Sequence, residues 1–466
     1  MTKQYKTGPI MVAMLVAGFV GLFSETSLNI ALGELGTIFG ILPTTVQWLA
    51  TGYFLTLAIL IPVTGILMQK FTTRQMFFTS IILSLVGTVI AVFAPVFWVL
   101  VLARVVQAAG LAISLPLTQN VIFTIFPPNK RGAAMGAMGL VMLAGPALGP
   151  TLAGLILDTL SWEWIFAVTL PFLVFSLVMG IKFIPNVNEV RDVKIDVLSV
   201  VLSTFAFGGI VYGVSSAGEL GWTSTTVLVA IAVGLVALVL FCVRQTKMEV
   251  PVLNLKAFKY PAFVLGVVMS FITFYNMLSL LVVLPMFMQM ALILTAFVSG
   301  LVLLPGSLLN CILAPVIGKA FDKYGPRAVI TPGTVLVVIG YVLYATYDVN
   351  TPVWAMVVTH IVWMLGVGMV LASTQTNTLN SLPREYYPDG IALTQTVQQV
   401  AGAIGIAVMV SLLAARQTVE MDAGMALPEA AASGSGLVFI VGLIFAVINF
   451  VLSLFMKKPG QIKLKD

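Results

Sequence analysis

The sequence predicts an all-α membrane protein of fourteen transmembrane helices, arranged as two six-helix pseudo-repeat bundles with an inserted helix pair. Three observations lead to this fold class: the composition, the number of long apolar runs and the distribution of basic residues. The chain has 466 residues, of which 60% are hydrophobic and 9% are charged. Soluble proteins carry roughly 25% charged residues. This chain therefore lacks the charged surface that water requires, and lipid is the solvent that suits it.

The apolar runs give the number of spans. A helix crosses the hydrocarbon core with about 20 apolar residues. The first run carries Glu25 and leads directly into the next loop, so we interpret it as a span and not as a cleavable signal peptide. The predicted spans lie at about residues 9–33, 45–68, 76–94, 98–123, 132–157, 164–184, 197–216, 223–243, 261–289, 296–318, 327–347, 353–380, 390–414 and 435–456.

The basic residues predict the orientation. If the N-terminus is cytoplasmic, all but two of the 23 Lys and Arg residues fall on the cytoplasmic side. The exceptions are Arg416, which would lie outside, and Arg104, which lies within a span. Such an asymmetry is typical of membrane proteins, and one missed or additional span would destroy it. We therefore expect both termini in the cytoplasm.

An internal repeat predicts the domain organisation. Residues 65–75 (GILMQKFTTRQ) resemble residues 318–328 (GKAFDKYGPRA), and the segment that opens at Gly132 has a counterpart that opens at Gly390. Two six-span halves in parallel orientation, related about the membrane normal, fit these offsets. The predicted domains are a first six-helix bundle, an inserted two-helix linker and a second six-helix bundle, at residues 1–190, 191–250 and 251–466.

Two charged residues lie deep in predicted spans. Glu25 is about 15 residues into the first span, or about 22 Å along a helix. An acid at that depth is costly and indicates function by default; the alternative is a neutral, hydrogen-bonded carboxylic acid that packs helices. Arg104 lies at a similar depth in the fourth span. We favour an interior cation near Glu25 over a side chain that snorkels to the interface. The pair is the predicted proton-coupling site.

Other polar residues in spans are weaker candidates for substrate contact, because many such residues only join helices through hydrogen bonds of about 0.6 kcal/mol. His360 is the only histidine, and either a titrating role or a hydrogen-bonded packing role fits it. The substrate-contact candidates are Asn29, Gln107, Tyr275, Asn276, Gln395, Gln398 and Gln399.

Several function classes are disfavoured by the sequence. No GxxxxGK[ST] phosphate loop is present, so ATP-driven transport is not expected. One histidine and two cysteines, Cys242 and Cys311, in apolar segments make no metal set and no disulfide framework. The formal charge of +6 is spread over short loops, which does not suggest nucleic-acid binding. We expect no enzymatic activity, no cofactor and no metal.

Three motifs resemble the major facilitator superfamily. LARVVQAAGLA (102–112) resembles its fourth-helix motif. GLVMLAGPALGPTLAG (139–154) resembles the fifth-helix motif that marks antiporters, through Gly145, Pro146, Gly149 and Pro150. The loop motif Gly-x-x-x-Asp-x-x-Gly-x-Arg is matched by Gly318, Asp322, Gly325 and Arg327.

The branch of that superfamily is indicated by further features. Fourteen spans and the sequence ETSLNIAL (25–32) resemble the fourteen-helix drug/proton antiporter branch, and the TTRQ loop (72–75) is similar to the lincomycin-resistance type of Gram-positive bacteria. The N-terminal loop motif departs from the family pattern, with Gln69 in place of an acid and Thr72 in place of glycine.

The resemblance implies proton-coupled export, or antiport, of lipophilic neutral or monocationic compounds by alternating access, as in multidrug efflux. The implied partners are a small lipophilic substrate, protons and membrane lipid. The implied location is a bacterial plasma membrane, in which the chain acts as a monomer. The fifth-helix motif is expected to seal the outer half between the domains. An exporter or flippase of an endogenous lipid or amphiphile is the alternative. A non-transporting sensor or scaffold is disfavoured, because the loops are too short for a soluble effector domain.

The repeat also predicts a cytoplasmic gate. By pseudo-symmetry, the loop with Asp322 and Arg327 should approach Lys130 and Arg131 at the start of the fifth span. The loop with Arg74 should approach Asp389 at the start of the thirteenth span. Such pairs would join the two halves on the cytoplasmic side when the cavity opens outward, and each partly hydrated pair contributes about 0–1 kcal/mol.

Overall fold

The fold is that of a computed structural model. The structure describes residues 6–41, 43–46, 48–187, 190, 196–248, 251 and 253–456. Within this part of the chain, fourteen helices are long and apolar enough to cross a membrane, which confirms the predicted fold class and the number of spans. They are α1 (Thr7–Phe39), α2 (Trp48–Lys70), α3 (Thr73–Val92), α4 (Phe97–Ile125), α5 (Arg131–Thr159), α6 (Leu170–Phe183, preceded by the turn Trp164–Ala167), α7 (Val197–Leu220), α8 (Thr225–Lys247), α9 (Pro261–Met290), α10 (Ala296–Tyr324), α11 (Pro326–Tyr344), α12 (Val353–Asn380), α13 (Tyr387–Asp422) and α14 (Leu427–Ser453).

Two helix ends differ clearly from the prediction. Helix α13 continues eight residues beyond the predicted end at 414, and in this extension Arg416 forms an ion pair with Glu420 one turn later. Such pairs stabilise a helix that has left the apolar layer. Helix α14 begins at Leu427 and not near 435. Its first turns are rich in Ala, Ser and Gly, whose low hydropathy hid this part of the helix from the prediction. These turns nevertheless pack closely, because a side chain on Gly434 would collide with the Leu413 carbonyl group.

The loop between α2 and α3 is fixed by a capping box. The Thr72 side chain accepts a hydrogen bond from the Gln75 backbone N–H, and the Gln75 side chain accepts one from the Thr72 N–H at 3.0 Å. Each bond satisfies a donor that the helix start would otherwise leave unpaired. Thr72 and Gln75 belong to the TTRQ loop that resembles the lincomycin-resistance type. Both residues therefore have a structural role, because they start α3.

The helices pair in the same way in the first six and the last six. In the first set α3 packs on α4, α1 on α5 and α2 on α4; in the last set α11 packs on α12, α9 on α13 and α10 on α12. Equivalent pairings are what a parallel repeat produces. The proposed boundaries at residues 190–191 and 250–251 adjoin segments 191–195 and 249–250, which lie outside the described residues.

The two sets meet along two seams, one between α5 and α10 and one between α2 and α13. Helix α7 packs against α2 and α13, so it covers the second seam. Helix α8 packs on α7 through close contact between Gly209 and Gly234. Much of the remaining α8 surface is exposed and apolar, for example at Val236 and Val239. The inserted pair thus lies at the edge of the bundle, with α8 facing lipid.

Candidate transport site and cytoplasmic gate

Arg104 is buried in the first six helices and is held by neutral groups. Its Nη1 atom donates to the Ser24 carbonyl oxygen and to the Ser24 Oγ, both at 2.9 Å, and to the Gln107 Oε1 at 3.1 Å. Its Nε donates to the Leu49 carbonyl oxygen at 3.4 Å, and the guanidinium lies 4.1 Å from the centre of the Tyr53 ring. Arginine suits this place because its planar group donates and stacks at once. The residue therefore ties α4 to α1 and α2.

Glu25 follows Ser24 on α1 and is half-buried. Its Oε2 atom is buried and has no hydrogen-bond partner among the described residues. The ion pairs in the described part of the chain are Arg244–Asp196 and Arg416–Glu420, so Glu25 and Arg104 are not in ion-pair contact. A buried acceptor without a partner costs about 1–3 kcal/mol. The carboxyl group is thus placed where a proton or a donor group would relieve that cost.

Gln107 has a positioning role in this structure. Its Oε1 accepts from Arg104 and from the Ser24 hydroxyl group, and its Nε2 donates to the Thr88 Oγ1 at 3.0 Å. Both ends of the amide are therefore occupied within the first six helices. The side chain supports Arg104 and links α4 to α3, which argues against the expected contact with substrate.

The substrate-contact candidates on the last six helices have different surroundings. Tyr275 packs against Phe445, and the Asn276 Nδ2 donates to the Gly442 carbonyl oxygen at 3.5 Å, so both join α9 to α14. Gln395 and Gln398 are buried on α13, and the Gln395 Nε2 and both polar atoms of the Gln398 amide have no partner among the described residues. The Asn276 Oδ1 also has no partner among the described residues, so Asn276, Gln395 and Gln398 all keep polar atoms that a ligand could bind.

Three further residues complete the sequence-predicted set. Gln399 is half-buried. The side chain of Asn29 lies outside the described residues. His360 is buried, with its Nδ1 atom 3.2 Å from the Tyr344 hydroxyl group and its ring stacked on Trp363. These contacts agree with the packing role for the histidine.

One polar pair was missed by the sequence analysis. The Gln119 Nε2 of α4 donates to the Gln375 Oε1 of α12 at 3.2 Å, and both residues are buried. The Gln119 Oε1 and the Gln375 Nε2 have no partner among the described residues. A signal was present: Thr-Gln occurs at 118–119 and again at 374–375, near the end of the fourth span of each repeat. The bond joins the two halves toward their cytoplasmic ends.

Gly145 and Gly149 of the fifth-helix motif pack against α1 in the first half. A Cβ atom on Gly145 would lie 2.7 Å from the Leu22 Cβ, and one on Gly149 would lie 3.1 Å from the Ser27 backbone nitrogen and closer still to the Thr26 hydroxyl group. Pro146 is half-buried, and the side chain of Pro150 lies outside the described residues. Both glycines thus bring α5 against the turn of α1 that carries Glu25. Other residues of the motif reach the second half: the Leu140 carbonyl oxygen accepts from the Cys311 Sγ at 3.7 Å, and a Cβ atom on Gly139 would lie 3.4 Å from the Ala372 Cβ. The sealing of the outer half by this motif stays a prediction.

A different face of α5 meets the second half. The Asp322 Oδ1 accepts from the Gly132 backbone N–H at 2.8 Å, and the Oδ2 accepts from the Ala133 N–H at 3.0 Å. A helix start carries unpaired N–H groups and a partial positive charge, so a carboxylate is stabilised there. A Cβ atom on Gly132 would lie 2.6 Å from the Gly318 carbonyl oxygen, so only glycine fits without displacement. The Asp322 loop meets α5 as expected, but it binds backbone N–H groups and not the side chains of Lys130 or Arg131.

Arg131 bonds to other groups of the second half. Its Nη1 donates to the Asn380 Oδ1 at 2.7 Å and to the Tyr387 hydroxyl group at 2.9 Å. The rest of the guanidinium donates to the Phe123 and Phe126 carbonyl oxygens. Arg131 therefore connects α5 to the ends of α12 and α13, whereas Lys130 and Arg327 are exposed.

The second predicted gate pair is not formed. The Arg74 Nη2 donates to the Ile181 carbonyl oxygen at 3.0 Å, and its backbone N–H donates to the Asn186 Oδ1. Asp389 accepts from the Asn254 N–H at 3.1 Å. Arg74 lies in the first turn of α3, from which it reaches the Ile181 carbonyl oxygen near the end of α6, and arginine commonly satisfies such groups. The pairing of Arg74 with Asp389 when the cavity opens outward stays a prediction.

The fold and these sites define a class: a membrane transporter built from two helical halves that meet at a glycine-lined seam. Comparison with known proteins gives the family. Residues 14–406 match the family model of the Major Facilitator Superfamily. The chain belongs to this superfamily, as the sequence motifs indicated, and it is a transporter rather than an enzyme.

Individual relatives are similar over most of the chain. The chain is 51% identical to the lincomycin resistance protein LmrB of Bacillus subtilis, with 98% of this chain and 97% of that protein covered. It is 28% identical to the multidrug efflux pump LfrA of Mycolicibacterium smegmatis, with 82% of this chain and 76% of that protein covered. Among solved structures, the proton:xylose symporter XylE matches with a TM-score of 0.68 at 13% identity, over 97% of this chain and 96% of that one. At that identity the match concerns the fold alone.

Proposed function

We propose that this protein exports lipophilic, neutral or monocationic compounds in exchange for protons, by alternating access of a site between its two halves. The observation that carries the proposal is the unpartnered Oε2 of Glu25, beside the turn that binds Arg104. A carboxyl group in this setting can take a proton from one side and release it to the other. The names of the relatives, a lincomycin resistance protein and a multidrug efflux pump, support export of drug-like compounds.

The moving parts in this proposal are the two halves, residues 1–190 and 251–466. The bonds of Asp322, Arg131 and Gln119 would hold the cytoplasmic ends together in one state and break in the other. Because a single unpartnered acid lies at depth, binding of a dication is disfavoured. The charge asymmetry of the loops supports a bacterial plasma membrane location with both termini in the cytoplasm.

The function is tested with purified protein in proteoliposomes. Lincomycin and a set of lipophilic cations would be supplied outside vesicles whose interior is acidic. Protein molecules inserted in the inside-out orientation would then move substrate into the vesicle as protons leave it. We expect concentrative uptake that stops when a protonophore collapses the gradient. If no compound of the set is taken up faster than by protein-free vesicles, the proposal is rejected. If the protonophore does not reduce uptake, the proton coupling is rejected.

A further inference from the structure

A pocket lies on the cytoplasmic side where the two halves meet. Its volume is about 430 Å³, within the range of roughly 300–1,000 Å³ of small-molecule sites. Pro128, Asn129 and Arg131 line it from the first half. The second half contributes residues at the end of α10, the start of α11 and the connection between α12 and α13, namely Phe321, Asp322, Gly325, Pro326, Asn380, Arg384 and Tyr387. The pocket is therefore built only when both halves are in contact.

The charged groups of this pocket are two arginines and one aspartate. Both carboxylate oxygens of Asp322 accept backbone N–H groups of α5, so the acid is already neutralised in part by the helix start. Neither Arg131 nor Arg384 has a carboxylate within ion-pair distance among the described residues. The charged side chains that line this pocket therefore carry an excess of positive charge.

Of the two arginines, Arg131 is the stronger indication of a ligand because it is buried, with only 3% of its surface exposed. Its partners are two carbonyl oxygens, an amide oxygen and a hydroxyl group, with the Phe123 and Tyr387 rings at 5.0 and 5.3 Å. A guanidinium group has five N–H donors, and these four bonds leave one of them unused. A buried cation normally has a counter-charge, whereas this one has only neutral partners. Arg384, at the other wall, is exposed and free to move toward a ligand.

We propose that this pocket binds a phosphate-bearing anion, held by Arg131 from the first half and by Arg384 from the second. Arginine recognises phosphate through paired, charge-assisted hydrogen bonds. Basic pockets between helices on the cytoplasmic side also suit anionic lipid headgroups. Because the ligand contacts both halves, it stabilises the state in which their cytoplasmic ends are joined. This phosphate site does not depend on which compound the protein exports.

The source of the phosphate group is either an anionic phospholipid or a free anion, and thermal unfolding of the purified protein distinguishes them. One arm adds dioleoyl phosphatidylglycerol in mixed micelles, with phosphatidylcholine as its neutral counterpart. The other arm adds sodium phosphate, with sodium chloride at equal ionic strength. We expect a saturable rise of the unfolding temperature with phosphatidylglycerol or with phosphate and no rise with either counterpart. A rise in the first arm alone identifies a lipid, and a rise in the second alone identifies a free anion.

Variants connect the effect to the pocket. Arg384→Gln removes an exposed charge that supports no packing, and we expect it to raise the half-saturating concentration about tenfold, as loss of one charge-assisted bond would. Arg74→Gln is the matched control, since Arg74 is another exposed arginine of the same side and lies outside the pocket. It should respond as the wild type does. The proposal is overturned if neither arm raises the unfolding temperature, or if Arg384→Gln titrates like the wild type.

Discussion

Ser24 and Glu25 are neighbours on α1 with opposite surroundings. The Ser24 carbonyl and hydroxyl groups both accept from Arg104, whereas the Oε2 of Glu25 is buried without a partner among the described residues. The arginine thus fixes the backbone turn that carries the acid and leaves the acid itself unpaired. Such an arrangement suits the proposed proton carrier, because an ion pair would favour the charged form of the acid over the protonated form.

Gln119 and Gln375 allow a test of the gate at the level of a single bond. Replacement of either by Leu removes the hydrogen bond of 3.2 Å between α4 and α12. We expect each single variant to unfold at a lower temperature, and the double variant to be destabilised by about 0.5–1.5 kcal/mol less than the sum of the two. A double-mutant cycle from denaturant or thermal unfolding measures this coupling. Strictly additive losses would mean that the bond does not hold the halves together.

Helix α5 has two glycine faces with different neighbours. Gly132 and Gly136 meet α10 across the seam between the halves, whereas Gly145 and Gly149 meet α1 near Glu25. A small residue at each position lets backbones approach closely. Helix α5 consequently connects the acid-bearing turn of α1 to the interface that must open and close.

Gly132→Ala tests the seam side of this helix. The added carbon would lie 2.6 Å from the Gly318 carbonyl oxygen and would also disturb the Asp322 carboxylate, so α5 and α10 must separate at their cytoplasmic ends. We expect transport to fall at least about tenfold and a cysteine at position 129 to become more reactive. Gly154→Ala is the matched control on the same helix, since nothing lies within 4 Å of its added carbon. Equal behaviour of the two variants would contradict the role assigned to the seam.

An ion pair joins the end of α8 to the start of α7 in the inserted pair. Arg244 on α8 donates two hydrogen bonds to the Asp196 carboxylate, at 2.7 and 3.0 Å. Gln245 then donates to the Ser199 Oγ and accepts from the Leu253 N–H, which lies in the segment that leads into α9. The inserted helices are therefore linked to the second half by a chain of polar contacts.

The pH dependence of this link follows from Asp196. Hydrogen bonds from the Arg244 side chain, followed by those from Ser199, hold the pKa of the Asp196 carboxyl group well below its usual range. A depressed pKa stabilises the fold above the unfolded-state value of about 3.9, and this contribution is lost as the pH falls further. Asp196→Asn should lower the unfolding temperature at pH 7, and its difference from the wild type should shrink only below about pH 4. A difference that vanishes between pH 5 and 7 would refute the assignment.

At the scale of the whole molecule, hydropathy and charge predicted the number of spans, because each span needs its own apolar run and shifts every later loop to the other side. Contacts were predicted less well. The Asp322 loop reached α5, but its partners are backbone N–H groups, which no side-chain pattern reveals. In this structure Arg74 bonds to the Ile181 carbonyl oxygen of its own half, and the capping box at the start of α3 was not recognised in the sequence. The repeat of Thr-Gln at 118–119 and 374–375 was a signal for Gln119 and Gln375, but whether the two side chains meet depends on how the halves pack.

The orientation of the whole chain has its own test. If both termini are cytoplasmic, Glu420 lies outside the cell and Lys323 lies inside. We expect a membrane-impermeant thiol reagent to label intact cells when the single cysteine is at position 420 and not when it is at 323. After permeabilisation both positions should react. Labelling of 323 alone in intact cells would invert the orientation.

In the proposed mechanism Glu25 carries the proton. Glu25→Gln preserves size and hydrogen bonding but cannot release a proton, and Glu429→Gln makes the same change at an exposed position in the first turn of α14. The decisive measurement is uptake, driven by a pH gradient, of a compound that the wild type concentrates, into inside-out membrane vesicles that contain equal amounts of each variant. We expect vesicles with Glu25→Gln to take up no more than vesicles without the protein, and vesicles with Glu429→Gln to match the wild type. Wild-type uptake by Glu25→Gln would remove Glu25 from the proposed mechanism.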